Sequence, residues 1–195
     1  MKLVFATGNK GKLKEAAEIL GPEYELLTPA DFGITEEIPE TGETLEENSI
    51  QKAEYIYSRT GKDCFADDTG LEVDCLGGAP GVYTARYAGE HCSFDDNMGK
   101  LLAEMAALGP DAPRTARFRS VVTLILNGEK HFFEGCVEGR IALRRSGAKG
   151  FGYDPVFEPD GFGGKTFAEV SEEEKNEVSH RGKALRAMAA WLAGK

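Results

Sequence analysis

The sequence ADDTGL, residues 66–71, places two carboxylates side by side within an otherwise apolar passage. Neighbouring residues of a strand point to opposite faces, so we expect Asp67 and Asp68 to have different roles. A carboxylate that stays ionised near phosphates needs a cation, and Asp or Glu with water and phosphate oxygens forms the usual Mg²⁺ shell. Glu40, in PETG, is a candidate second ligand in a linker rich in acids. A solvent-facing β-turn is the alternative interpretation of ADDTGL.

The turn TGNKGK lies between a predicted strand and a predicted helix. Its members are Thr7, Gly8, Asn9, Lys10, Gly11 and Lys12. Unpaired backbone N–H groups and the helix dipole make such a turn an anion site, and two lysines reinforce it. It is not a Walker loop, which needs two more residues between the glycines and a Ser or Thr where this chain has Leu13. A glycine turn with solvated lysines is the alternative interpretation.

Two further segments carry polar and aromatic groups. In GFGYDP, Phe151 lies between two glycines, so its ring can lie flat against a planar ligand, and Asp154 follows as an acceptor. The segment SHRGK, residues 179–183, begins a helix with basic residues where acids are usual, which calls for a partner. A packed aromatic turn and a solvated arginine are the alternatives. Taken with the turn and the aspartates, these segments indicate a nucleotide site.

The elements that must position these residues follow from the apolar pattern. Apolar runs between turns predict strands, and apolar residues at helical spacing predict helices. Strands are predicted over 3–6, 24–28, 64–66 and 71–75, with β-rich runs over 117–126 and 131–143. Helices are predicted over 10–20, 43–57, 93–108 and 179–192. Asn127-Gly128 favours a tight hairpin, so the pattern predicts an α/β fold with a mixed sheet.

Length and composition narrow the class of protein. The 195 residues are enough for one sizeable core, and we expect a single domain over 1–195. A formal charge of −10 argues against a general nucleic-acid or anionic-membrane binder. The four cysteines show no CxxC pairing and the three histidines stand far apart, which favours neither a zinc site nor disulfides. This use of cysteine fits a reducing cytoplasm best. The apolar run at 3–6 is too short for a signal sequence or a membrane span, so we expect a soluble protein without membrane contact.

Five segments in a fixed order carry a family resemblance. They are ATGNKGKLKE, PETGET, ADDTGLEVDCLGGAPGVYTARYAG, GFGYDPVF and EEKNEVSHRGKAL. The chain resembles the Ham1 family of inosine/xanthosine triphosphate pyrophosphatases from near residue 3 to near residue 192. The resemblance implies a Ham1-like α/β fold in which a mixed sheet is flanked by helices, in two lobes with a central nucleotide cleft. It also implies a homodimer, Mg²⁺ dependence, and hydrolysis of ITP, dITP and XTP to the monophosphate and pyrophosphate.

The resemblance also implies roles for individual residues. The phosphate-binding turn falls on Thr7 through Lys12, the essential acid on Asp68, and the second metal carboxylate on Glu40. The lysine that approaches the triphosphate falls on Lys52. A substrate-contacting hydroxyl falls on Thr69, where the family often has Ser. Base recognition is implied for Phe151, Gly152, Tyr153, Asp154, Lys175, His180 and Arg181.

The mechanism that we predict is attack by water on the α-phosphorus, with Mg²⁺ on Asp68 and Glu40, and with lysines neutralising the leaving pyrophosphate. Whether Asp67 or Asp68 orients the water stays open at this point. A nucleotide pyrophosphatase of the related Maf type is the alternative enzyme. A nucleotide- or RNA-binding module without turnover is the alternative of another class, although the acidic charge and the paired carboxylates disfavour it.

Overall fold

The computed structural model describes all residues from 1 to 195 and has a seven-stranded mixed sheet with five helices. The strands are β1 (Lys2–Phe5), β2 (Glu25–Leu27), β3 (Cys64–Val73), β4 (Pro80–Gly81), β5 (Thr115–Leu126), β6 (Glu129–Ile141) and β7 (Phe157–Pro159). The helices are α1 (Lys10–Leu20), α2 (Leu45–Thr60), α3 (Phe94–Ala107), α4 (Glu172–Val178) and α5 (His180–Ala193). The predicted α/β class with a mixed sheet is therefore confirmed.

The strand order is β2-β1-β3-β5-β6-β7, with β4 paired to β3. β1 runs parallel to both β2 and β3, with Val4 opposite Leu27 and Cys64. β4 pairs antiparallel with β3, and β7 antiparallel with β6. Parallel pairing joins the N-terminal strand–helix unit to β3, so the end of β1 at Phe5 lies beside Phe65, near the start of β3 and two residues before Asp67.

The chain forms two compact units. The first comprises 1–69, 120–135 and 180–195, and the second comprises 70–119 and 136–179. The first unit has two apolar clusters, which include Phe5, stacked on Phe65, and Ile56. The second unit has one cluster, built around α3 and the aromatic rings of β5 and β7. Each unit therefore has its own core.

Helix α1 begins and ends where its sequence predicts. Asn9 caps the start, since its side chain accepts hydrogen bonds from the backbone N–H groups of Gly11 and Lys12. Gly21 ends the helix at φ 78°, a conformation that favours glycine. Ala16 and Leu20, four residues apart, are buried on one face. The predicted range 10–20 is confirmed.

Helix α2 begins at Leu45, with Thr44 as its N-cap and Gly61 as its left-handed C-cap. The predicted range of 43–57 was therefore displaced by two to three residues at each end. The buried face differs from the predicted apolar one, because Asn48, Ser49 and Lys52 are buried on it. A helix that buries polar groups needs hydrogen-bond partners for them, and those partners are described below.

The paired aspartates lie inside one continuous strand, β3, and not in a break between two short strands as the sequence pattern predicted. That prediction was wrong because a carboxylate disfavours a buried strand only where no cation is paired with it. The hairpin prediction is confirmed, with Asn127 at φ 51° and Gly128 at φ 85° between β5 and β6. Helix α4 was not predicted, although Ser171 and Glu174 form a capping box at its start. None of the five helices is long and apolar enough to cross a membrane.

Candidate active site

Asp67 is held by two cations in the first compact unit. Its Oδ1 accepts a hydrogen bond from Lys12 Nζ at 3.1 Å, and its Oδ2 accepts one from Arg181 Nε at 3.0 Å. Burial alone would raise the pKa of Asp67, but the charges of Lys12 and Arg181 outweigh it and hold the pKa of that carboxyl well below its usual range. Asp67 is therefore an ionised member of a buried ion-pair network, and its charge is balanced by the protein itself.

Arg181 is the centre of that network. Its side chain is 2% exposed, its Nη1 donates to Glu15, and its Nη2 lies 3.4 Å from Thr69 Oγ1. Thr69 Oγ1 in turn donates to Asp67 Oδ2 at 3.2 Å and lies 3.1 Å from Ser120 Oγ. The fixed fork of guanidinium donors suits such a multiple contact. Arg181 thus connects the start of α5 to α1 and to β3.

Asp68 has a different partner from Asp67, as the alternation of a strand predicts. Its Oδ1 accepts a hydrogen bond from Lys52 Nζ at 3.1 Å, and the same Nζ donates to Glu40 Oε1 at 2.5 Å. Burial raises the pKa of Asp68, with Glu40 adding to the rise and Lys52 opposing it. Although burial opposes its charge, the carboxylates of Asp68 and Glu40 raise the pKa of Lys52. Lys52 stays protonated between the two carboxylates.

Asp68 and Glu40 fit the ligand set of a divalent ion. The Oδ2 of Asp68 is buried and has no hydrogen-bond partner, which leaves a charged acceptor available. No group of three or more His, Cys, Asp or Glu side chains suited to a metal occurs in the chain. Two carboxylates suit an ion that keeps several waters and takes its other oxygens from phosphates. The expectation of different roles for the two aspartates agrees with their different partners, and the metal role of Asp68 and Glu40 stays a prediction.

The turn that leads into α1 has fewer available donors than the sequence suggested. Asn9 Oδ1 accepts from Gly11 N at 2.9 Å and from Lys12 N at 3.2 Å, while Asn9 N donates to Thr7 Oγ1. The N–H groups of Gly8 and Lys10 remain without an acceptor in the protein. The donors that this turn leaves available to an anion are therefore these two groups and the exposed Lys10 side chain, while Lys12 is paired with Asp67.

The second compact unit contains a separate cluster around Asp154. Lys175 Nζ donates to Asp154 Oδ2 at 2.6 Å, and the backbone N–H of Phe151 donates to the same oxygen at 2.9 Å. Lys175 Nζ also lies 4.8 Å from the centroid of the Phe151 ring, a cation–π distance. A Cβ at Gly150 would lie 2.0 Å from Asp154 Oδ2, so the close approach requires glycine there. Asp154 thereby fixes the loop that presents Phe151.

Tyr153 and Gly152 have structural roles within that loop. The hydroxyl of Tyr153 donates to the backbone oxygen of Thr84 at 2.8 Å, and its ring belongs to the apolar cluster of the second unit. Gly152 has φ 62°, in the left-handed region that favours glycine. Phe151 is only partly buried, so it is the aromatic ring of GFGYDP that is accessible to a planar ligand.

The predicted site residues thus form one group in each unit. The first unit contains Thr7, Gly8, Asn9, Lys10, Gly11, Lys12, Glu40, Lys52, Asp68, Thr69, His180 and Arg181. The second contains Phe151, Gly152, Tyr153, Asp154 and Lys175. His180, the first residue of α5, is buried beside Arg181 in sequence. Their roles toward a substrate stay predictions.

Several contributing residues were missed from the sequence. Glu15 pairs with Arg181, and its position three residues after Lys12, on one face of α1, was the available signal. Ser49 Oγ lies 2.7 Å from Thr123 Oγ1 and donates to Ala66 O at 3.3 Å, which ties α2 to the residue before Asp67. A lone Ser on a helix gives no sequence signal of such a contact.

The comparisons with known proteins cover nearly the whole chain. A family model described as Ham1 family matches residues 3–191. A dITP/XTP pyrophosphatase of Flavobacterium johnsoniae is 50% identical over 192 residues, 98% of this chain and 98% of that protein. Among solved structures, a HAM1 protein from Coxiella burnetii is 36% identical with a TM-score of 0.90, covering 100% of both chains. A Ham1 protein of Staphylococcus aureus is 38% identical with a TM-score of 0.87, covering 100% of this chain and 99% of that one.

Proposed function

Because the chain belongs to the Ham1 family, we propose that it hydrolyses deaminated purine nucleoside triphosphates, namely ITP, dITP and XTP, to the monophosphate and pyrophosphate. The observation that carries the proposal is the arrangement of Asp68, Lys52 and Glu40, in which a buried carboxylate oxygen without a partner lies on a residue held by a lysine. A carboxylate can take part in chemistry at a phosphate centre only if positive charge nearby offsets the negative charges. Lys52 provides such a charge beside Asp68.

Mg²⁺ is the divalent ion that we propose, held by Asp68 and Glu40. When bound, it supplies a Lewis acid that neutralises charge on the triphosphate oxygens. Support comes from the available Oδ2 of Asp68 and from the carboxylate oxygens of both residues, since oxygen ligands favour a hard cation.

The chain's own cations have separate tasks in this proposal. Lys10 and the N–H groups of Gly8 and Lys10 bind phosphate oxygens at the start of α1, where the helix dipole favours an anion. Lys52 stays protonated and stabilises the charge that develops on the leaving pyrophosphate. Lys12 acts indirectly, because its ammonium holds Asp67 in place.

We assign to Asp68, and not to Asp67, the role of orienting the water that attacks the α-phosphorus. Both oxygens of Asp67 already accept hydrogen bonds from Lys12 and Arg181, which leaves a weakly basic carboxylate. Asp68 retains one acceptor oxygen, and its pKa is raised, so it is the better group to orient a water or take its proton.

The base is assigned to Phe151 for stacking and to Lys175, His180 and Arg181 for polar contacts. Hypoxanthine differs from adenine at the 6-position, where a carbonyl acceptor replaces an amino donor, so donors must face that atom. Phe151 is accessible, and Lys175 provides an ammonium beside its ring. Gly152, Tyr153 and Asp154 contribute by shaping and fixing the loop.

We further propose that residues 1–195 act as a single catalytic domain, as a homodimer in the cytoplasm.

A Maf-type specificity for other modified nucleotides is the alternative to specificity for deaminated purines, and a substrate panel separates these two specificities. The test measures Mg²⁺-dependent pyrophosphate release from ITP, dITP, XTP and the four ordinary NTPs. Release from the deaminated purines in strong preference to the ordinary NTPs is expected. No release from ITP or XTP would reject the proposed function.

Hydrolysis in ¹⁸O-labelled water is expected to place the label in the monophosphate. The reason is that water attacks the α-phosphorus and pyrophosphate leaves with its own oxygens. Mass spectrometry of both products measures the label, and unlabelled substrate processed in ordinary water is the control. Label found only in pyrophosphate would show attack at the β-phosphorus and contradict the mechanism.

Phe151→Ala is expected to lower kcat/KM for ITP, XTP and ATP by similar factors. Stacking is available to every purine, so its loss weakens all substrates by about 1–3 kcal/mol, judged from base–aromatic stacking in other proteins. Leu143→Ala, at an exposed apolar residue of the same unit, is the matched control and should change none of the three values. A change in the ITP-to-ATP ratio of tenfold or more would give Phe151 a role in base selection instead.

A further inference from the structure

The segment directly after Glu40 is tied to α2 through its backbone. Three consecutive N–H groups donate to three side chains on the first two turns of that helix. The pairs are Thr41 to Gln51 Oε1 at 2.8 Å, Gly42 to Asn48 Oδ1 at 2.7 Å, and Glu43 to Glu47 Oε2 at 2.7 Å. Since an irregular segment has no ladder of its own, these side chains supply the acceptors that its backbone needs.

Two of these contacts are reinforced. Gln51 is bound twice, because its Nε2 also donates to Thr41 Oγ1 at 2.9 Å. Asn48 is fully buried, and a Cβ at Gly42 would lie 2.8 Å from its Oδ1 and 2.6 Å from the Cβ of Glu47. The backbone at Gly42 therefore approaches α2 as closely as a glycine permits. Because the amide of Gln51 and the contact at Gly42 restrict neighbouring residues, the chain at Thr41 has little freedom.

The same helix carries the lysine that contacts Glu40. Lys52 follows Gln51 directly and lies four residues after Asn48, on the same helical face, and its Nζ lies 2.5 Å from Glu40 Oε1. One rigid element thus fixes both the backbone next to Glu40 and the cation beside its carboxylate. A ligand held in this way loses less conformational freedom when it binds an ion.

We propose that Gln51 and Asn48 are positioning residues that hold Glu40 for metal binding, an assignment that rests on the metal role of Glu40 in the proposed function. Neither side chain is required to touch the ion or the substrate. Groups that orient a metal ligand from behind are commonly worth about 10-fold to 100-fold in metal affinity or activity. Gln51 is the better residue to substitute in a test, because it is only partly buried. Asn48 is part of the packed interior.

The experiment compares Gln51→Ala with Glu47→Ala. Glu47 accepts the N–H of Glu43 in the same way, but this contact lies two residues farther from Glu40, so it controls for general loosening of the segment. Binding of Mn²⁺ alone, without nucleotide, is followed by the electron paramagnetic resonance of the free ion. The Mg²⁺ concentration for half-maximal ITP turnover, kcat and the melting temperature are measured in parallel.

Gln51→Ala is expected to raise the Mn²⁺ Kd and the Mg²⁺ requirement by about 10-fold relative to the wild type, with kcat at saturating Mg²⁺ changed less than threefold. Glu47→Ala is expected to leave both metal constants within twofold, whatever its melting temperature. Unchanged metal constants in Gln51→Ala, or an equal rise in Glu47→Ala, would overturn the assignment even while the wild type hydrolyses ITP. Wild-type protein that binds no Mn²⁺ would also overturn it, and wild-type protein that releases no pyrophosphate from ITP would reject the proposed function itself.

Discussion

Asp68→Asn is expected to lower kcat for pyrophosphate release from ITP by at least ~10³ while the protein stays folded. The amide keeps the size of the carboxylate and removes the charge to which we assign metal binding and the orientation of the water. Folding should be little affected, because burial already disfavours the charge of Asp68 and Lys52 keeps Glu40 as a partner. Initial rates at saturating Mg²⁺ and thermal unfolding followed by the fluorescence of Trp191, the single tryptophan, measure both quantities.

Asp67→Asn is the matched control at the neighbouring residue. It should cost less activity than Asp68→Asn but more stability, because Lys12 and Arg181 would lose the carboxylate that balances their buried charges. The two variants thus separate a group that acts on the substrate from a group that holds the site together. Equal activity of Asp68→Asn and the wild type at saturating Mg²⁺ would remove Asp68 from the catalytic role.

The elements that the sequence predicted well are those whose signals are local. Helix α1 has a capping residue, Asn9, a stop at Gly21 and buried residues at helical spacing, all within about a dozen positions. The hairpin between β5 and β6 is specified by Asn127-Gly128, since both residues adopt the positive φ of the turn. Residues close together in sequence determine such features, so the sequence pattern predicts them directly.

The candidate site was predicted residue by residue from the family resemblance, but its ion pairs were not. Asp67 finds Lys12 55 positions before it and Arg181 114 positions after it. Without those partners, two adjacent aspartates did not fit a buried strand, and the strand prediction was interrupted there. The buried polar face of α2 was missed for the same reason, because the Oδ1 of Asn48 and the ammonium of Lys52 find their partners in the segment near Glu40 and in β3.

Arg181→Ala is expected to lower the free energy of unfolding by about 3–5 kcal/mol, because it leaves the buried carboxylate of Asp67 without one of its two cations. Arg181 is 2% exposed and Asp67 is 1% exposed, so water cannot replace the lost contact. Glu15 loses its partner as well. Urea denaturation followed by Trp191 is suited to this measurement, since Trp191 lies on α5 in the same compact unit as Arg181.

Arg145→Ala provides the comparison for the loss of an arginine ion pair. Arg145 Nη1 lies 2.7 Å from Asp95 Oδ1, but the side chains are 39% and 75% exposed, so the expected loss is no more than about 1 kcal/mol. A loss below about 1 kcal/mol in Arg181→Ala as well would contradict the importance of the buried network. Such a result would mean that the contacts of the Arg181 guanidinium in the wild type can be lost or exchanged with little change in the free energy of unfolding.

The same Arg181→Ala variant tests the base-reading role that the resemblance implies, at a temperature where it is folded. If Arg181 faces the purine 6-oxo group, its loss lowers kcat/KM for ITP and XTP much more than for ATP, because adenine gains nothing from a donor at that position. In the structure, however, the guanidinium donates to Asp67 and Glu15, so the variant loses these ion pairs together with any contact that Arg181 makes to the base. A narrowed ITP-to-ATP ratio together with a large loss of stability is therefore the expected result. An unchanged ratio with the same loss of stability would assign Arg181 to the ion-pair network alone.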